Sequence, residues 1–176
     1  MIKKLTLCLL LLTCLAANAF CQGKNENLKI VWPEEYKWKV ISNQEDESVH
    51  VLQLIPGNES AEQWTVMGQM AAQKNFKAES VEQILNAFKQ ASEQESPKAK
   101  FTVLQKSSKP DSIWALFKVE TPSFPNDPVP ESQLYYVVQG EITLYFNFVA
   151  VKKKKLSKEF IDEWTKVFMN SELVYQ

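Results

Sequence analysis

The sequence predicts an α+β fold: a mainly antiparallel β-sheet with two main helices packed on it. Three observations carry that prediction. Apolar residues alternate at period two through much of the chain, as in Ile113, Ala115, Phe117 and Val119, or Ile142, Leu144, Phe146, Phe148 and Ala150. The strand-like runs are joined by short turn-forming segments, so that sequence neighbours pair as hairpins. Two stretches, opening at Ser80 and at Ser157, switch to helical spacing instead.

In chain order, "LKIVW" and "YKWKVI" read as strands broken at Pro33. "SVHVLQLI" follows the acidic turn "QEDE", with Val49, Val51 and Ile55 on one face. "QWTVMGQMAAQ" reads as a strand with Gly68 marking a bulge. Ser80 and Gln83 form an S-x-x-Q capping box, and Val81, Ile84, Leu85, Phe88 and Ala91 give the first helix its apolar stripe. That helix ends before Pro97. "AKFTVLQ" and "SIWALFKVE" are the next strands, then "SQLYYVVQ" and "EITLYFNFVAV" flank Gly140. Between these pairs lies "TPSFPNDPVPE", with four of the chain's eight prolines. Proline donates no ladder hydrogen bond, so this stretch is a stiffened loop outside the sheet, of the kind that carries binding contacts.

Four consecutive lysines, Lys152, Lys153, Lys154 and Lys155, follow the last of these strands. Were the strand to continue, Lys152 and Lys154 would share a face with Phe148 and Ala150, and burying unpaired ammonium groups is prohibitive. The strand therefore ends near Val151. Ser157 caps the second helix, Glu159, Asp162 and Glu163 suit its first turns, and Phe160, Trp164, Val167 and Phe168 form its buried stripe. The lysines become a solvated corner.

The amino terminus carries Lys3 and Lys4, an apolar run shorter than a bilayer span, and the small-residue pattern Ala17-Asn18-Ala19. It reads as a signal peptide over residues 1–19, followed by a flexible tail over 20–27 and one domain over 28–176. The expected location is outside the cytoplasm, periplasmic or secreted. Lipidation of Cys21 or Cys14 is the alternative. Phe20 is bulky where a small residue normally precedes a lipidated cysteine, and modification at Cys14 leaves a short apolar core. Loss of Cys8 and Cys14 with the signal leaves a single thiol and no internal disulfide.

Hydrophobic residues make up 45% of the chain, enough for a core. The formal net charge of −1 falls to −3 without Lys3 and Lys4, and the chain has no arginine. That composition argues against nucleic-acid recognition, where the planar guanidinium is the favoured bidentate donor.

The groups that carry chemistry are few. His50 is the single histidine and lies mid-strand, where it reads as a structural or surface residue rather than a base. Glu45, Asp46 and Glu47 read as a hairpin turn rather than a calcium loop. Glu131, Asp127 and Glu141 surround the proline loop and the following hairpin, and a hydrolytic carboxylate pair among them is a minor reading. No glycine-rich phosphate loop is present. Of the five tryptophans, Trp64 is the candidate for an exposed aromatic anchor, although core burial is the commoner fate of that residue. The candidate partner-binding set is Trp64, Phe124, Asp127 and Glu131, with Lys152, Lys153, Lys154 and Lys155 as a second patch.

The hairpin opening, "EQWTVMGQM" before the first helix, and "ESQLYYVVQGEITLYFNF" leading to "FIDEWTKVF" resemble the PsbP-like family of α/β/α sandwiches over residues 28–176. That family includes photosystem accessory proteins, a Ran-binding nuclear import factor and small exported bacterial proteins. The resemblance implies a binding or accessory role, with no catalytic motif to carry over and no cofactor. The expected function is thus an exported, non-catalytic accessory protein with a protein or small-molecule partner, no nucleic acid, and membrane contact only through a lipid. The alternative is an inhibitor or immunity protein whose proline loop acts as a plug against an exported toxin or hydrolase.

Overall fold

The computed structural model describes residues 26–107, 109 and 112–175. The expected signal peptide, its cleavage site and Cys21 lie outside the described residues. Seven strands form one antiparallel sheet: β2 (Lys39–Glu45), β3 (Val49–Ile55), β4 (Val66–Lys74), β5 (Lys100–Lys106), β6 (Trp114–Thr121), β7 (Glu131–Gln139) and β8 (Thr143–Val151). Their spatial order is β2-β3-β4-β8-β7-β6-β5. Two hairpin runs, β2-β3-β4 and β5-β6-β7-β8, are therefore joined in the middle by β4 against β8, from Val66↔Val151 to Lys74↔Thr143. The α+β architecture predicted from the alternation is the one observed.

Both faces of the sheet are covered. Helix α1 (Val81–Glu95) links β4 in the middle to β5 at the edge and crosses one face. It opens as the capping signature predicts: the Gln83 N–H donates to Ser80 Oγ at 3.1 Å, and the Gln83 side chain accepts from Glu79 N at 2.8 Å. Its Val81, Ile84, Leu85 and Phe88 pack on Ala115, Phe117, Val137, Leu144 and Phe148. Helix α2 (Lys158–Met169) covers the other face, with Trp164 and Phe168 fully buried against Leu116, Leu134, Tyr136 and Val149. Alternate residues of the central strands thus enter two different cores, which is why β8 is apolar on both faces. Trp114, of opposite parity to Phe117, faces the α2 side.

Three local expectations are corrected. Glu26 and Asn27, expected in the tail, belong to strand β1 (Glu26–Lys29), which pairs with a short terminal strand, β9 (Glu172–Tyr175), in a separate two-stranded ribbon. The "YKWKVI" strand starts only at Lys39, because Glu34–Tyr36 form a 3-10 turn closed by Lys37 at a positive φ of 47°. Gly68 marks no bulge. The β4–β8 ladder runs through it without a shift, and the β3–β4 ladder reaches it in register at Leu54↔Gly68. What it supplies is space: a Cβ there would lie 2.6 Å from Trp32 Cη2. Gly68→Ala is therefore expected to cost about 1–3 kcal/mol by overpacking, read as a lower urea midpoint with an unchanged slope.

Both sheet edges are interrupted where a foreign strand could add. Strand β2 shifts register between Val40 and Ser42, and β5 between Val103 and Gln105. Lysines at positions 39, 100 and 106 flank these edges. Bulges and charge together make poor templates for strand addition.

Candidate functional site at the loop end of the sheet

The pairings Val66↔Val151, Ser132↔Val151 and Thr121↔Glu131 place the start of β4, the end of β6, the start of β7 and the end of β8 at one end of the sheet. Residues 56–65, the proline loop 122–130 and the lysine corner 152–157 therefore emerge side by side. Trp64, Phe124, Asp127, Glu131 and Lys152 to Lys155 are far apart in sequence, yet the β4–β8 junction gathers them all here. Glu141 lies in the β7–β8 hairpin at the other end, and so do Glu45, Asp46 and Glu47.

The proline loop holds itself in shape. Phe124 N donates to Asp127 O at 2.8 Å and Asp127 N to Phe124 O at 3.3 Å, closing a tight turn with Pro125 at its second position. The Asp127 carboxylate accepts from Val129 N at 3.0 Å, and Ser96 Oγ, just past α1, donates to Ser123 O at 2.9 Å. These bonds and four fixed proline φ angles leave the loop little conformational entropy to lose on binding.

The lysine corner is pinned through its backbone. Fully buried Ser132 donates to Lys153 O at 2.7 Å. Glu120, only 5% exposed, receives Lys118 Nζ at 2.8 Å and Leu156 N at 3.2 Å. The four lysine side chains are exposed, as the parity argument requires. Ser132→Ala is expected to cost about 1–2 kcal/mol, since it leaves a carbonyl unpaired, and to speed amide exchange at residues 153–156.

Trp64 is turned inward, at 8% exposure within the α1-side core. Its ring is capped by Lys152 Nζ, 4.5 Å from the centroid. The core reading of Trp64 holds, and the exposed-anchor reading is corrected: the ring belongs to the α1-side core, with Lys152 over its face.

Glu131 opens β7. Its Oε1 accepts from Gln133 Nε2 at 2.6 Å, and Gln133 Oε1 in turn accepts from the Tyr135 hydroxyl at 2.7 Å. The residue as a whole is half-buried, but its carboxyl is surrounded by protein, and that desolvation raises its pKa. The negative charges of Glu95 and Asp127 push the same way, against Gln133 and Lys152. Beside this group lies a cavity of about 10 Å³ lined by Phe88, Ser92, Glu95, Phe124, Gln133 and Tyr135 among others. That is room for about one water, not for a substrate. Among the described residues, no three histidine, cysteine or carboxylate groups are placed to hold a metal ion.

At the opposite end, Asp46 Oδ1 accepts from Ser48 N and Val49 N, both at 2.7 Å, and Lys74 Nζ binds Glu45 Oε1 at 2.6 Å. Those backbone bonds hold the Asp46 pKa below the usual range and identify this run as a capped hairpin turn. His50 Nε2 lies 2.7 Å from Asn43 Oδ1 across the same hairpin. Glu95, Glu120, Ser132 and Gln133 were not singled out from sequence. The available signal was the pair Lys118 and Glu120 at the parity of buried Leu116, a polar pair on a core-facing stripe.

No protein-family model matches the chain, and no curated protein matches it. Among solved structures, a crystal structure of a protein from Bacteroides thetaiotaomicron VPI-5482 aligns with 89% of this chain at 13% identity and a TM-score of 0.46. The chain spans 50% of that protein's length.

Proposed function

We propose that the chain is an exported, non-catalytic accessory protein of PsbP-like type, which binds a protein partner through the loop end of its sheet. The observation that carries this reading is the convergence there of a self-braced proline loop and an exposed lysine corner anchored on buried Ser132 and Glu120. Such a surface presents charge and shape at small entropic cost, which suits recognition.

The inhibitor reading draws on the same loop, because the Phe124–Asp127 turn is fixed before any partner arrives. The two differ in what the partner does when bound. An accessory protein leaves the partner's activity intact or raises it, and a plug abolishes it. A photo-crosslinking residue placed at Asn126 or Lys154 is expected to capture one specific partner in the host, whereas the same residue at Glu47, at the other end of the sheet, captures none. Equal labelling from both ends would refute the assignment of the surface.

A further inference from the structure

We propose that the groove between α2 and the β5 edge binds a small amphipathic carboxylate, with its apolar body on Leu104, Leu116 and Ile161 and its charge met by Lys166. The inference is independent of the loop end, because the groove runs along the flank of the sheet. Strand β5 is the edge strand beside β6, while α2 packs over Leu116, Leu134, Tyr136 and Val149, so β5 lies beyond the helix on this face. The two enclose a concavity of about 470 Å³, within the size range of small-molecule sites. Fully buried Leu116 forms its floor, half-buried Leu104 and Ile161 its walls, and Gln105, Thr165 and Lys166 its polar rim.

The bulge in β5 builds one side of this groove. Val103 pairs with Phe117 and Gln105 with Leu116, so Leu104 is the extra residue. The insertion brings Leu104 and Gln105 to the α2 side together, Leu104 against the apolar cluster and Gln105 opposite Leu116. It also interrupts the ladder, so an occupant is read by side chains and not by strand addition. The rim sets the sign of the charge. Asp162 lines the groove too, but its carboxylate is bonded by Lys158 Nζ, one turn earlier in α2. The ion pairs of the described residues leave exposed Lys166 unmatched. One positive charge therefore stands beside an apolar floor, and its ammonium protons and the Gln105 amide are donors for the two oxygens of a carboxylate. A pair at an exposed rim contributes little, so the apolar body supplies most of the affinity and Lys166 the selectivity.

Titration of the protein with octanoate, followed by amide NMR, tests this. Saturable shifts are expected at Leu104, Gln105, Ile161 and Thr165, with a dissociation constant on the order of 1–10 mM for so small a ligand. Butyrate, which offers less apolar surface, is expected to bind at least about tenfold more weakly. Lys166→Glu is expected to weaken octanoate about tenfold and to leave uncharged octanamide within about twofold. Thr165→Phe fills the groove and is expected to remove the shifts from both ligands. The absence of saturable shifts at these amides, shifts centred on another surface, equal binding of butyrate, or an equal loss of octanoate and octanamide in Lys166→Glu overturns the proposal. Should Thr165→Phe fail to unfold cooperatively, Lys166→Glu, at an exposed position, decides alone. No loop-end residue enters the measurement, so failure of the partner reading cannot produce these results.

Discussion

Glu120→Ala is expected to lower the stability of the domain by about 3–5 kcal/mol, the cost of breaking a buried ion pair from one side. Lys118 would be left with 18% of its side chain exposed and no carboxylate at 2.8 Å, and Leu156 N would lose its acceptor. Chemical denaturation gives the magnitude. The distinguishing readout is local: the lysine corner and the first turn of α2 should exchange amides faster than the rest of the sheet, because Glu120 joins β6 to the segment leading into α2. Replacing both partners by apolar residues of similar volume, as in Lys118→Met with Glu120→Leu, is expected to recover much of the loss, since no buried charge is then left alone. A double substitution as damaging as the single one would mean that the Leu156 hydrogen bond, and not the ion pair, dominates.

Trp164→Ala is expected to cost a similar amount, about 3–5 kcal/mol, and to lower the melting temperature by about 10 °C for a domain of this size. Trp164 is fully buried, and its ring meets Trp32 at 5.3 Å, Phe168 at 5.8 Å, and Tyr36 and Trp38 at 6.0 Å. These contacts hold the 3-10 turn of Glu34–Tyr36 against α2. The Trp32 ring, which needs the space at Gly68, loses its second support when Trp164 is removed. Trp164→Phe keeps much of the apolar surface and should cost clearly less. Equal losses for Ala and Phe would show that the indole N–H, rather than ring packing, is what matters there.

These effects trace to features of unequal visibility in the sequence. The central strands were legible because period-two alternation is strong in β6 and β8, and α1 because Ser80 and Gln83 announce its start. The end of β8 was legible from charge alone, since lysines could not occupy core parity. Strand β9 was not, because four residues are too few to show a period and its partner β1 lies at the opposite end of the chain. Gly68 looked like a bulge because sequence records that a Cβ is absent and not what fills the space.

The candidate site shows the same division. Its residue types stood out individually: a proline run, a lysine run, acids near a loop. Their convergence depends on β4 pairing with β8 across an excursion of almost seventy residues, a long-range choice that no local pattern records. Glu95 carries no signal of its own in the sequence, and only the packing at the end of α1 brings it to the same small cavity as Phe124. Trp64 followed the general tendency of tryptophan to be buried, and Lys152 over its ring joins the corner to segment 56–65.

Recognition of a protein partner by the loop end of the sheet is tested by native mass spectrometry on the chain recovered from its own host. A stoichiometric companion is expected on the wild-type protein and is expected to be lost when Lys152, Lys153, Lys154 and Lys155 are all changed to Glu, in a variant whose unfolding remains cooperative. A companion retained by that variant, or a wild-type chain that emerges bare, would contradict it.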